Sequence, residues 1–156
     1  MLSTPEIIST PEITTASIRL QVPGPEMPLH MGPAIGELFR TLQEMNVQAT
    51  GPLFSYHHQM PSEIFDFEVG VPVAQPFEGK GRVEPSTIPA CMVLRVLYTG
   101  PYEGLAEAWM ATQELLEGAG HPGTDTFWES YVVGPAQTED STQFVTELNW
   151  VLASPV

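Results

Sequence analysis

The stretch VLRVLYTGP at positions 93–101 decides the reading of this chain. An apolar run rich in valine and leucine reads as a strand, and the Gly-Pro that closes it reads as a tight turn with fixed φ. A helix follows from Tyr102 to about Glu117. Its residues Leu105, Ala108, Trp109, Thr112 and Leu115 fall at the i, i+3, i+4, i+7, i+10 spacing of one helical face, with Thr112 in an otherwise apolar position. The same order is written earlier. IRLQVPGP (18–25) leads to a helix expected over Pro33–Met45, where Ile35, Leu38, Phe39, Leu42 and Met45 repeat that spacing seventy positions upstream.

Two strands follow each helix. PLFSYHHQ (52–59) and IFDFEVGVPVA (64–74) form the first pair, joined by MPSE; FWESYVVG (127–134) and QFVTELNWVL (143–152) form the second. Short connections predict antiparallel hairpins. Each half thus reads strand, helix, strand, strand, and one helix leaves three strands half covered. The expected fold class is α+β: two pseudo-twofold-related modules forming one curved, mostly antiparallel sheet, with both helices flanking a ligand cleft. The boundaries are a flexible lead-in at 1–12, a single domain from 13 to 156 with a first module at 13–75, a Gly/Pro-rich linker at 76–89, and a second module at 90–153. The lead-in repeats Ser-Thr-Pro-Glu-Ile at 3–7 and 9–13, and prolines at that spacing forbid a helix.

Composition narrows the function. The chain has 156 residues and 42% hydrophobic content, enough for a sizeable core. No apolar run approaches the ~20 residues that cross a bilayer. No secretory signal opens the sequence, and a cytoplasmic location is expected. Nineteen acids against five bases give a net charge of -14. A chain that grips phosphates clusters its cations, whereas Arg19, Arg40, Lys80, Arg82 and Arg95 are scattered, so direct nucleic-acid binding is not expected. The acidity favours solubility and, through its field, cationic ligands. The single cysteine, Cys91, reads as a small residue of an apolar strand and excludes an internal disulfide.

FWESYVVG carries the most chemistry. Alternation puts Phe127, Glu129, Tyr131 and Val133 on one face and Trp128, Ser130 and Val132 on the other. A carboxylate between aromatic neighbours is costly to bury unless it pairs, takes a proton or meets a ligand. Glu68 in FDFEVG is a second in-strand acid, read as structural. His57 and His58 point to opposite faces, so they cannot share a metal; His30 and His121 fall in predicted loops. No Cys/His/Asp cluster has metal-ligand spacing and no P-loop, G-x-S-x-G elbow or dinucleotide fingerprint is present, so neither metal nor cofactor is expected. EGAGHPGT (117–124) reads as a helix C-cap and loop.

GPLFSYHH…FDFEVGVPVA in the first half, with YTGPYEGLAEAW and WESYVVGP in the second, resembles in order and spacing the GyrI-like small-molecule-binding domains, over residues 15–152. Relatives include effector-binding halves of AraC- and MerR-type multidrug-responsive bacterial regulators, gyrase-modulating proteins and hydrolases of cyclopropanoid natural products. The resemblance implies that Glu129 and Tyr131, matching the family's E-x-Y strand, face the ligand, and that Trp109, Tyr56 and His57 match further cleft positions. Tyr98, Tyr102 and Phe39 complete the expected ligand-binding set. Tyr98 stands where many relatives carry a histidine.

Three functions follow as expectations. The first is a stand-alone binding protein for small aromatic or apolar, cationic molecules, with aromatic walls for affinity and Glu129 for charge. The second is a hydrolase opening cyclopropane rings, with Glu129 as acid or base and Tyr131 or Tyr98 as donor. The third, a gyrase-modulating protein partner role, rests on the resemblance alone. No helix-turn-helix segment is present, so sensing would pass through another protein.

Overall fold

The computed structural model describes residues 1–58, 63–120, 123–135 and 137–153, with the side chains of 28 and 119 left aside. It is α+β. Eight strands run in chain order as β1 (Glu6–Thr10), β2 (Ile13–Pro23), β3 (Phe54–His57), β4 (Ile64–Pro72), β5 (Glu84–Ile88), β6 (Cys91–Thr99), β7 (Gly123–Val133) and β8 (Val145–Leu152). The helices are α1 (Met27–Glu44) and α2 (Leu105–Ala119). Backbone contacts divide the chain into two units, one of Pro11–Ala90 and one of Met1–Thr10 with Cys91–Val156.

In the first unit the strand order is β3-β4-β2-β5 and every pairing is antiparallel. Alternation along β2 and β4 sends Ile18, Leu20, Val22, Phe67, Val69 and Val71 to the face covered by α1, where Ala34, Leu38 and Leu42 complete the core. Each such side chain, fully buried, contributes about 1.5–3 kcal/mol. Expectation and structure differ in α1, which begins two turns before Pro33. Pro28 sits in the first turn, where a missing N–H costs nothing, and Pro33 gives up its bond to the residue-29 carbonyl on a side of the helix where Leu29 is 70% exposed. His30 therefore lies in α1, its Nε2 3.5 Å from Glu26, and not in a loop; His121 is outside the described residues.

In the second unit the order is β1-β6-β8-β7, again antiparallel. Here Leu94, Leu116, Trp150 and Leu152 form one buried group and Tyr98, Ala108 and Leu148 another, with Trp109 packed against both. Thr112, the polar intruder, is fully buried and donates its hydroxyl to the Ala108 carbonyl one turn back, 2.7 Å away. Gly120 ends α2 with φ 74, a left-handed cap that glycine adopts without penalty.

The stretches expected as lead-in and linker both hold strands. β1 pairs with β6, and β5 pairs with β2. Each is the outermost strand of its order, which is where proline is tolerated: Pro5 precedes β1 and Pro85 lies within β5. The segment before each module thus supplies the outer strand of the other one: Pro11–Ala90 is continuous, whereas the other unit joins Met1–Thr10 to Cys91–Val156.

The ladders also fix how the modules correspond. Arg19 pairs with Glu68 and Arg95 with Asn149, which aligns β2 with β6 and β4 with β8. His57 opposite Phe67 then matches Glu129 opposite Leu148. The buried helix residues Ala34, Leu38 and Leu42 match Ala108, Thr112 and Leu116, an offset one turn longer than sequence spacing predicts. On that alignment Trp109 corresponds to Ile35, not Phe39.

Candidate ligand site in the second unit

Glu129 lies on the α2-covered face of β7. α2 places Trp109 over it: indole Nε1–H donates to Glu129 Oε1 at 2.7 Å. Two positions along the same strand face, the Tyr131 hydroxyl donates to Oε2 at 2.9 Å. A ring of aromatic side chains holds this group. Trp109 stands edge-on to Phe127 and Trp150, with centroids 4.7 and 5.7 Å apart, and Phe127 faces Trp150 at 6.4 Å. Tyr131 meets Tyr102 edge-on at 5.8 Å, and Tyr102 leans on Phe144 at 4.9 Å. Such pairs add about 0.5–1.5 kcal/mol each beyond area burial.

Electrostatics set the carboxyl apart. Burial pushes Glu129 above the usual carboxylate range, opposed by the Trp109 and Tyr131 hydrogen bonds that favour the charged form. Tyr102 is also raised, first by burial and then by the Glu129 charge. The unit's one Lys or Arg, Arg95, lies on the opposite sheet face, bonded to Asn149 at 2.7 Å and paired with Glu147 at 3.2 Å. Among the described residues of its unit, Glu129 thus has hydrogen bonds but neither Arg95 nor the Met1 ammonium, which bonds the Thr99 carbonyl, is paired with it.

The other expected residues divide. Tyr98 is buried under α2 and donates its hydroxyl to the Pro101 carbonyl at 2.8 Å, so its phenol closes the turn. A Cβ at Gly104 would collide with that hydroxyl, which explains the glycine. Tyr102, on the 3-10 turn before α2, is 36% exposed, and its hydroxyl seats against Gly134, where a Cβ would stand 2.9 Å away. Tyr56, His57 and Phe39 belong to the first unit. Phe39 is 44% exposed on the outer side of α1. His57 is buried, stacked on Phe67 at 5.1 Å, with Nε2 2.7 Å from Ser55 Oγ. Burial and neighbouring His58 lower its pKa to about 4. Tyr56 lies on the opposite face, edge-on to His58 at 5.2 Å.

The expected ligand-binding set omits three rings of this group, Phe127, Phe144 and Trp150. The signal for two was present: Phe127 alternates with Glu129, and Trp150 alternates with Leu148 and Leu152 along β8. Trp128 packs away from the site, 2% exposed. Glu68 proved more engaged than expected, accepting from Ser17 and contacting His58, both at 2.6 Å. Among the described residues, no three His, Cys, Asp or Glu gather to hold a metal ion, and no helix is long and apolar enough to cross a membrane.

A protein-family model described as a GyrI-like small molecule binding domain matches residues 3–151. No curated protein sequence matches the chain. Among solved structures, the EcmrR C-terminal domain aligns at 23% identity and TM-score 0.84, over 97% of this chain and 98% of that one. Against EcmrR in its DNA complex the identity is 24% and the TM-score 0.83; 97% of this chain spans 58% of that protein's length. SAV2435 bound to tetraphenylphosphonium aligns at 9% identity and TM-score 0.69, over 97% and 95% of the chains. A hydrolase encoded by lin2189 from Listeria innocua aligns at 11% and 0.67, over 96% and 91%. At these identities the structures share the fold.

Proposed function

Taking as premise that the chain belongs to the GyrI-like small-molecule-binding domains, we propose that it binds aromatic or apolar organic cations at Glu129. The observation that carries this reading is a carboxyl enclosed by aromatic rings and hydrogen-bonded by Trp109 and Tyr131, with no Lys or Arg paired to it among the described residues of its unit. A buried charge without a counter-ion is unfavourable, and an incoming cation removes that cost. The rings add quadrupole attraction of about 0.5–2 kcal/mol per well-placed contact. SAV2435, of like fold, is seen with tetraphenylphosphonium, which makes that cation a suitable probe. Calorimetric titration with tetraphenylphosphonium tests the reading. Glu129→Gln is expected to weaken binding at least about tenfold, the value of one modest charge contact, and equal affinity for both proteins would reject Glu129 as the recognition group.

One feature favours hydrolysis as a second reading. A carboxyl raised by burial and touching a phenol is suited to general acid–base chemistry, and the lin2189 product of like fold is a hydrolase. Incubation with a cyclopropane-bearing electrophile, followed by mass spectrometry, distinguishes the two. Ring-opened product that disappears in Glu129→Gln supports the enzyme; intact electrophile beside phosphonium binding supports the binder. The DNA and protein partners of longer relatives are not part of this proposal.

A further inference from the structure

Trp109 and Tyr131 hold the two oxygens of Glu129 in chemically different ways. An indole N–H only donates, so Oε1 must remain an acceptor in either protonation state. Oε2 faces the Tyr131 hydroxyl 2.9 Å away, a neighbour able to accept, so it is the oxygen on which a proton gains a hydrogen bond. A phenol can donate or accept. With Glu129 ionised, Tyr131 donates to Oε2. With Glu129 protonated, Oε2–H donates, Tyr131 Oη accepts, and the Tyr131 hydrogen turns away from the carboxyl. The polarity of Tyr131 is thus tied to the charge of its neighbour.

We propose that Glu129 and Tyr131 form a proton-switched pair that recognises two ligand classes at one site: organic cations when Glu129 is ionised, and neutral hydrogen-bond acceptors, such as aryl ketones or phosphine oxides, when it is protonated. Binding a cation sends the Glu129 proton to solvent; binding a neutral acceptor draws one proton in. The groups around the pair permit the exchange. α2 presents Trp109, β8 presents Leu148 opposite Glu129 and Thr146 opposite Tyr131, and the 3-10 turn presents Tyr102. Within the unit and among the described residues, the titratable groups touching Glu129 or Tyr131 are those two and Tyr102, whose phenol burial and the Glu129 charge keep protonated. Burial of Glu129 favours its neutral form at the same place the geometry provides for it.

This inference rests on Glu129 being the ligand site, so the test separates the two. The full chain is titrated from pH 5 to 8 with tetraphenylphosphonium, a fixed cation without an acceptor, and with triphenylphosphine oxide, a neutral acceptor of similar shape. The expected slopes are opposite. Cation affinity rises with pH and oxide affinity falls, each by up to about tenfold per pH unit on the limb where the competent form is scarce. In Tyr131→Phe the cation still binds, while oxide affinity drops at least about fivefold and loses its slope. In Glu129→Gln the cation weakens and both slopes vanish. If the cation follows Glu129 but the oxide is flat, parallel to the cation or unaffected by Tyr131→Phe, the switch is wrong and the site stands. If neither probe binds, or Glu129→Gln changes nothing, the site and the switch fall together.

Discussion

Opposite Phe67 in the first module stands His57; opposite Leu148, the corresponding place in the second, stands Glu129. Both side chains lie on the helix-covered sheet face, and burial drives both toward neutrality, one base and one acid. The other face kept its chemistry in both copies. Arg19 bonds Asp66 through two nitrogens, and Arg95 pairs with Glu147 at the matching ladder positions. The comparison teaches where duplication left freedom. An exposed or half-exposed Arg–acid pair can serve the same purpose twice, whereas the place under the helix became Ser55–His57–Phe67 in one module and Trp109–Glu129–Tyr131 in the other. The first is a packed histidine, and the second a carboxyl served by donors.

The largest expected effect falls on the helix residue that differs. Trp109→Ala removes a ring packed against Phe127 and Trp150 and a donor to Glu129, and should cost about 3–5 kcal/mol in urea unfolding. Ile35→Ala, its counterpart, is half-buried and should cost about 2 kcal/mol. Equal costs would erase the distinction between the two helices.

Acid limbs of the stability profile come next. His57 binds its proton more weakly folded than unfolded, so the unfolded state gains protons first as pH falls. Stability from its neutral form is fully present above pH ~6.5 and is lost down to about pH 4, a change of about 3 kcal/mol. His57→Phe should flatten that limb while costing a constant amount for the stranded Ser55 hydroxyl. A limb unchanged in the variant would mean that His57 titrates normally.

Glu129 runs with the opposite sign. Its folded carboxyl holds a proton to higher pH than the unfolded chain does, so its contribution falls as pH rises through the interval above the ordinary carboxylate range of ~4.3. Glu129→Gln should therefore gain thermal stability relative to the parent on going from pH 5 to pH 8. A Tm difference that shrinks or does not change with pH would break the symmetry with His57. The smallest effect is Phe39→Ser, on the outer side of α1, expected to move stability by less than about 0.5 kcal/mol and to leave phosphonium affinity unchanged.

The duplicated strand-helix-strand-strand order was legible because alternation and helical spacing are local properties, and the Gly-Pro turns mark both copies. That Glu129 and Tyr131 share a strand face is legible from the same alternation; that Trp109 reaches Glu129 depends on how α2 lies on β7. What stayed hidden was long-range. Nothing in EIIST or EPSTI announces an outer strand's place, since only the partners β6 and β2 give them one. The helix offset slipped by a turn because one turn preserves the apolar face, so Phe39 was matched to Trp109 when the buried residues align Ile35 instead. Nothing local in YTGP ties the Tyr98 hydroxyl to the Pro101 carbonyl, a contact that exists only once the turn closes. His58 and Glu68 were placed on their strands, but their contact depends on the β3–β4 register.

The central claim is that Glu129 is a carboxyl held toward its neutral form by burial and ready to exchange that proton for a ligand. Carbon-13 NMR of the glutamate side-chain carboxyl, assigned with Glu129→Gln and followed against pH with and without tetraphenylphosphonium, measures this directly. The expected midpoint lies above ~4.3 in the free protein and moves down when the cation binds. A midpoint at or below the ordinary value, unmoved by the cation, would contradict it.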